Sequence, residues 1–143
     1  MEITAQVILD FRDWYDEFSD ALTWTDIQIK KALCKADYQT GSARRWGSYI
    51  YEEHCGNFKA MGLFSYAAHI LVINNAAKIT TQGGQIASSI APISSKSVAS
   101  ESVGFARSTP SNSNSFDDLL ASTVYGQEFI GYRETAAQGA FVV

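Results

Sequence analysis

The chain has 143 residues, of which 46% are apolar and 13% aromatic, and this composition predicts one folded domain rather than a disordered chain. Its formal net charge of -4 and its pI near 5.0 argue against tight binding to nucleic acid. The two cysteines, Cys34 and Cys55, lack a metal-binding or redox spacing, and the acidic start of the chain lacks a basic and apolar leader. We therefore expect reduced, packed thiols in a protein of the cytoplasm.

The first helix is predicted near the N-terminus. Thr4 can cap it, and Ile3 and Ile8 are spaced as a hydrophobic staple. Apolar residues then recur at helical spacing from Val7 to Phe18, so we expect one face of this helix to be covered by the rest of the protein.

A capping box predicts the start of the second helix, because Thr25 is followed three residues later by Gln28. Gly41 is expected to end this helix. The next residues form a basic and aromatic cluster that could contact nucleic acid, although pairing with the acidic N-terminal third explains it better: Arg44, Arg45 and Trp46.

The third helix is predicted to begin between Tyr49 and Glu53 and to run to about Lys78. Its apolar residues extend most of the way round, so we expect a central helix that several neighbours contact. The segment 60–77 has no formal charge, but its polar side chains and its length argue against a membrane span. His69, between apolar neighbours, is interpreted as a buried, hydrogen-bonded core histidine.

A serine-rich segment follows. Residues 80–115 contain eleven serines, three threonines and three charges in 36 positions. Structureless connections of this length are uncommon inside compact domains. We predict an extended β-hairpin or arm, with strands near 95–99 and 102–107, that becomes ordered on a partner. Its expected contacts to a neighbouring copy or to another partner are Ile86, Ile90, Val98, Val103 and Phe105.

Helical pattern returns at Ser115 as a short helix, and Thr123 can cap a further one. The chain ends in an apolar tail, for which we expect docking on a neighbour: Gly139, Ala140, Phe141, Val142 and Val143. The predicted fold class is therefore mainly α, a small helical bundle around one long central helix, with an extended β-hairpin or arm insertion and an extended C-terminal tail. One domain is expected over 1–143, with a helical core (4–79 and 115–137), an arm (80–114) and a tail (138–143).

Charge is unevenly distributed along the chain. Residues 1–26 hold seven acids and one base, whereas residues 27–60 hold six bases and three acids. Such separation suits docking of acidic on basic surface between copies, and it is equally consistent with two solvated helix faces. The residues expected to pair between subunits are Asp13, Asp16, Glu17, Lys30, Lys31, Arg44 and Arg45.

Patterns typical of enzymes are sparse. His54 and Cys55 are adjacent and would point about 100° apart on a helix, so they cannot converge on one metal. Gly83 and Gly84 are not followed by a phosphate-binding motif. The residues by themselves therefore give little support to an enzyme, a metal site or a cofactor.

Four segments, taken in order, resemble one protein family. Residues 11–20 (FRDWYDEFSD) are similar to an F-R-x-x-F-P-E-F-S-D signature, and residues 66–71 (YAAHIL) to an L-A-A-H-L-L helix. Residues 97–105 resemble a hairpin rich in Ser, Val and Gly, and residues 122–127 (STVYGQ) an S-T-P-Y-G-Q motif. The family is the head-to-tail adaptor, or connector, proteins of tailed bacteriophages. Two positions, Asp16 and Val124, stand where the family's motifs have proline.

This resemblance implies a structural protein of the virion, assembled in the host cytoplasm and located at the neck. Copies would form a ring, dodecameric in most members, that docks under the portal protein and extends the DNA channel. A stopper, terminator or tail protein would bind on the tail side, and genomic DNA would pass without sequence-specific binding. No membrane is implied. Two alternatives remain open: a monomeric prophage binding or regulatory module with residues 80–114 as a lid, and a small hydrolase that uses His54 or His69.

Overall fold

The computed structural model describes residues 1–41, 43–50, 57–82, 95–98, 101–104 and 115–139. The protein is mainly helical in this part of the chain, which confirms the predicted class. Its helices are α1 (Ala5–Trp14), α2 (Asp26–Thr40), α3 (Ala43–Trp46), α4 (Phe58–Gln82), α5 (Ser115–Leu120) and α6 (Val124–Gly139), and its strands are β1 (Ser95–Val98) and β2 (Glu101–Gly104).

Helix α1 follows Thr4, but the Thr4 side chain makes no capping hydrogen bond, so the predicted cap is wrong. The helix also ends earlier than predicted. The staple residues Ile3 and Ile8 are both buried. The helix stops at Trp14, and Phe18 lies on a separate 3-10 turn, Asp16–Phe18. Extended backbone at Tyr15 makes this break. Phe18 nevertheless reaches the core, because the turn brings its ring to 5.2 Å from that of Phe11.

Helix α2 begins and ends as the sequence predicts. Thr25 Oγ1 accepts a hydrogen bond from the Gln28 N–H, and Gln28 Oε1 accepts one from the Thr25 N–H, which is the predicted capping box. Gly41 follows the last turn with φ +62°, in the left-handed region that favours glycine. The buried face of α2 packs against α4 and consists of Ile29, Ala32, Leu33 and Ala36.

Helix α4 is the hub of the core, but it begins later than predicted. It starts at Phe58 rather than between Tyr49 and Glu53. Asn57 caps it, since its Oδ1 accepts from the Ala60 N–H at 3.1 Å. It also continues past Lys78 to Gln82, so it takes up the first residues assigned to the arm.

The position of α4 explains why apolar residues lie on most of its sides. It packs on α2 at one side and on α6 at another, with α3 across it. By length and composition alone its segment 58–78 could cross a membrane, yet 56% of the most apolar stretch is buried inside the protein. A core helix that contacts several neighbouring helices can be as hydrophobic as a membrane-spanning helix, so hydropathy alone does not distinguish the two.

Strands β1 and β2 pair antiparallel, with Ser95 opposite Gly104 and Val98 opposite Glu101. Helix α6 begins after Thr123, as predicted, and its buried side chains include Phe129 and Ala136. Seven of the predicted contact residues lie outside the described residues: Ile86, Ile90, Phe105, Ala140, Phe141, Val142 and Val143. His54 and Cys55 also lie outside them. The described side chains also do not include Arg44, Val98 or Val103.

Candidate interaction surfaces

A buried arginine holds the N-terminal segment in shape. The guanidinium of Arg12 donates to the backbone oxygens of Phe18 and Trp24, the latter at 2.7 Å, and to Asp26 Oδ1 at 2.7 Å. Its side chain is only 11% exposed. One side chain thus connects α1, the 3-10 turn and the start of α2. The planar guanidinium can do this because it presents several N–H donors in a fixed geometry.

Two tyrosine–glutamate hydrogen bonds join this N-terminal segment to α6. Tyr15 donates to Glu128 Oε2 at 2.7 Å, and Tyr125 donates to Glu17 Oε1. The two tyrosine rings pack edge to face, 5.1 Å apart. Burial raises the pKa of both tyrosines, and the accepting carboxylates raise it further. Both phenols therefore remain protonated donors.

His69 connects α4 to the start of α6. Its Nδ1 lies 2.6 Å from Thr123 Oγ1, which also accepts a hydrogen bond from the Gly126 N–H at 3.0 Å. The ring is 3% exposed, and burial lowers the pKa of His69. The prediction of a buried, hydrogen-bonded core histidine is confirmed.

Gly126 allows the backbones at this joint to approach closely. A Cβ on this residue would lie 1.9 Å from the Leu120 carbonyl oxygen and 2.9 Å from His69 Nδ1. No side chain fits there without displacement of backbone. The glycine thus has a packing role that helical periodicity alone did not reveal.

These contacts form one connected arrangement, which we call the motif junction. It brings together residues from the segments 11–20, 66–71 and 122–127, which are far apart in sequence, and Glu128, one residue beyond the last segment. The sequence identified the three segments separately but not the bonds between them, because no spacing rule relates a tyrosine to a glutamate 113 residues away. The members of the motif junction are Arg12, Tyr15, Glu17, His69, Thr123, Tyr125, Gly126 and Glu128.

A second feature is a groove of about 630 Å³ between α2 and α4. No carboxylate is among the described residues that line it. Its presence was not predicted, although three lysines within six residues and an exposed Ile27 on α2 could have indicated it. We call it the lysine groove; its main apolar residues are Trp24, Ile27, Ile70 and Leu71, and its lysines are Lys30, Lys31, Lys35 and Lys78.

The lysine groove also contains Cys34, and this corrects one prediction. The thiol is exposed rather than packed. Cys34 lies five residues after Ile29, which rotates it about 140° from the buried stripe of α2.

The residues predicted to pair between subunits are largely on the surface. Asp13, Asp16, Lys30, Lys31 and Arg45 are exposed, and none of them forms an ion pair with another described residue. The sixth member whose side chain is described, Glu17, differs because its carboxylate already accepts the hydrogen bond from Tyr125. The two lysines line the groove.

The aromatic member of the predicted basic cluster belongs to the core. Trp46 is 6% exposed, and its ring stacks on Phe58 at 5.6 Å and on Phe129 at 5.7 Å. It also covers Gly62, whose missing side chain makes room for the indole. Trp46 therefore presents no face on which a nucleic acid base could stack, while Arg45 stays exposed.

A buried lysine joins the end of α2 to the start of α4. Lys59 Nζ lies 2.6 Å from Thr40 Oγ1, 2.8 Å from the Gly41 carbonyl oxygen and 2.9 Å from Asp37 Oδ1. Burial alone would raise the pKa of Asp37, but hydrogen bonds from the N-terminal ammonium and from Lys59 hold it below its usual value. A cation at a helix C-terminus is also favoured by the helix dipole.

No group of three or more metal-ligating side chains occurs among the described residues. No protein-family model matches the chain, and no curated protein matches it. The interactions of the motif junction hold the helices together. The lysine groove and the predicted pairing residues expose charged and apolar side chains on the described surface.

Proposed function

We propose that this chain is a structural protein of a tailed-phage virion. In this proposal, copies assemble into a head-to-tail adaptor ring beneath the portal, extend the DNA channel and link the head to the tail. The chain acts without catalysis and without a cofactor. The observation that carries the proposal is the motif junction.

The motif junction supports the family resemblance because it gives the matched residues a shared structural role. Short motifs recur by chance in unrelated proteins, and chance matches have no reason to contact one another. Here Arg12 and Tyr15 come from the first motif, His69 from the second, and Thr123 and Gly126 from the third. A fold that needs all three motifs at one joint explains why they occur together in one chain.

Charge on the described surface suits a ring. Closed rings of identical subunits need heterologous interfaces, in which two different patches of one chain meet. The exposed acids Asp13 and Asp16 and the exposed bases of α2 provide two such patches. A net charge of -4 also lets DNA pass, since a basic channel would retain phosphates by counterion release.

Strand addition by the arm is part of the proposal. Among the described residues, β1 and β2 pair only with each other, so each strand has an outer edge. An exposed edge can accept a strand from a neighbouring copy or a tail-side protein. The apolar tail after α6, residues 139–143, would dock on the portal or on an adjacent copy.

Deleting the gene and then adding back the purified chain tests the proposal. Host cells infected with a phage that lacks this gene should accumulate DNA-filled heads and separate tails. Adding the purified chain to such an extract should restore joined, infectious particles. Normal assembly without the gene would refute the proposal.

A matched pair of variants makes the same assay specific. The motif-junction variant Arg12→Met should restore less joining because it destabilises the fold, whereas Tyr38→Phe, at a tyrosine that is 87% exposed and outside the proposed contacts, should remain active. Circular dichroism of both variants separates loss of the fold from loss of the joining activity. Joining that does not depend on the added chain at all would contradict the proposal.

A further inference from the structure

The lysine groove is lined by apolar side chains and by lysines, and this combination favours an occupant with apolar and acidic groups. Four lysines line it, together with apolar side chains such as Ile27, which is 68% exposed. Ion pairs within the described part of the chain do not involve Lys30, Lys31 or Lys35. A surface that combines exposed apolar area with one sign of charge is typical of an interaction site.

Helix α1 carries a complementary surface. Ala5, Leu9 and Asp13 recur every four residues and so lie on one face of the helix, and Asp16 follows directly after it. All four residues are exposed, and Leu9 is 53% exposed. We call this face the acidic α1 face. None of its residues lines the groove of its own chain.

We propose that the lysine groove receives the acidic α1 face of a second copy of this chain, with Leu9 on the apolar lining and Asp13 and Asp16 against Lys30 and Lys31. The two surfaces are different patches of one molecule, so the contact is heterologous and repeats from copy to copy. The inference rests on the proposed function, because a ring requires a contact that repeats from copy to copy. It deepens that function by naming the two surfaces that form the contact. A second copy suits the groove because the same chain carries exposed apolar and acidic residues that match the apolar and basic lining of the groove.

The exposed Cys34 provides a probe inside the groove. One chain carries Cys55→Ser and keeps Cys34. The other carries Cys34→Ser, Cys55→Ser and Ala5→Cys, which leaves Leu9 and Asp13 intact. A short bismaleimide should join the two chains when they are mixed at about 1 mM, where even a contact of millimolar Kd is substantially populated.

Position-specific cross-linking distinguishes docking from random collision. In the control, Val124→Cys replaces Ala5→Cys; Val124 is 68% exposed at the start of α6. We expect a cross-linked dimer with Ala5→Cys and about tenfold less with Val124→Cys. Equal yields at the two positions, or no cross-link with either, would overturn the inference.

Charge reversal tests the pairing itself. Lys30→Glu with Lys31→Glu in the first chain, or Asp13→Lys with Asp16→Lys in the second, should each lower the yield about tenfold, which corresponds to the loss of about 1.4 kcal/mol. Combining both reversed chains should restore the cross-link. A combination no better than either reversed chain alone would refute the assignment.

Other occupants give different results. If a DNA duplex or a fatty acid protects Cys34 from maleimide while the unlabelled chain does not, the groove binds that ligand and the inference is wrong. The outcome is separable from the proposed function. Cross-linking without any joining activity in phage extracts would refute the adaptor function alone, and joining activity without the cross-link would refute the docking contact alone.

Discussion

Gly126→Ala tests whether the motif junction is as closely packed as its geometry indicates. The added Cβ would lie 1.9 Å from the Leu120 carbonyl oxygen, whereas carbon and oxygen atoms in contact are about 3.3 Å apart. The gap must therefore open by about 1.4 Å. The obstructing atom belongs to backbone, and the Leu120 side chain is fully buried, so movement is costly.

The magnitude follows from two opposing effects. Overpacking costs about 1–3 kcal/mol, and a clash with backbone favours the upper value. Replacing glycine by alanine within a helix raises the free energy of unfolding by about 1 kcal/mol through helix propensity. We expect Gly126→Ala to lower the free energy of unfolding by about 2 kcal/mol, and to weaken the His69 to Thr123 contact beside it.

Gly131→Ala is the matched control, because Gly131 lies in the same helix and a Cβ there meets nothing within 4 Å. This variant should gain about 1 kcal/mol from helix propensity alone. The two variants should thus differ by about 3 kcal/mol, or about 10 °C in Tm. Urea and thermal unfolding followed by circular dichroism measures the difference. Equal stability of the two variants would show that the close approach at Gly126 is not present.

Four further predictions concern the core, the pH dependence, the tail and the arm. Arg12→Met should lower the free energy of unfolding by about 2–3 kcal/mol because it leaves two part-buried backbone acceptors without donors, whereas exposed Arg45→Met should change it by less than about 0.5 kcal/mol; equal denaturation midpoints would contradict this. Burial lowers the pKa of His69 in the folded protein, so its contribution to stability should be complete above the unfolded pKa of about 6.5 and should decline as the pH falls through that value, and His69→Gln should flatten this part of the urea midpoint against pH; an unchanged profile in the variant would exclude His69 as the cause. Deletion of residues 139–143 should leave the helical circular dichroism intact but abolish attachment to portal-containing heads, and unchanged attachment would remove the tail from the proposal. Hydrogen exchange over residues 86–107 should slow on assembly, so equal protection in the isolated chain and in virions would argue against strand addition.

Local chemistry was readable from the sequence. The capping box at Thr25, the glycine end at Gly41 and the cap at Thr123 depend on residues within one turn, so a single stretch of sequence contains all the information they need. The central position of α4 was also predictable, because a helix that is apolar on most sides needs neighbours on most sides.

Features that depend on distant residues were not readable in this way. The start of α4 at Phe58 is an exception, because its cap, Asn57, is local and was missed all the same. The interior position of Trp46 depends on the space above Gly62 and on Phe129 of another helix. The lysine groove likewise exists only once α2 and α4 lie side by side.

The adaptor proposal is tested most directly by cryo-electron microscopy of the neck of virions from the phage that encodes this chain. The account predicts a ring of copies directly beneath the portal, in which density for α2, α4 and α6 fits the helical core and the acidic α1 face of each copy meets the lysine groove of the next. A neck whose density is fully accounted for by other proteins, with this chain absent from the particle, would contradict it.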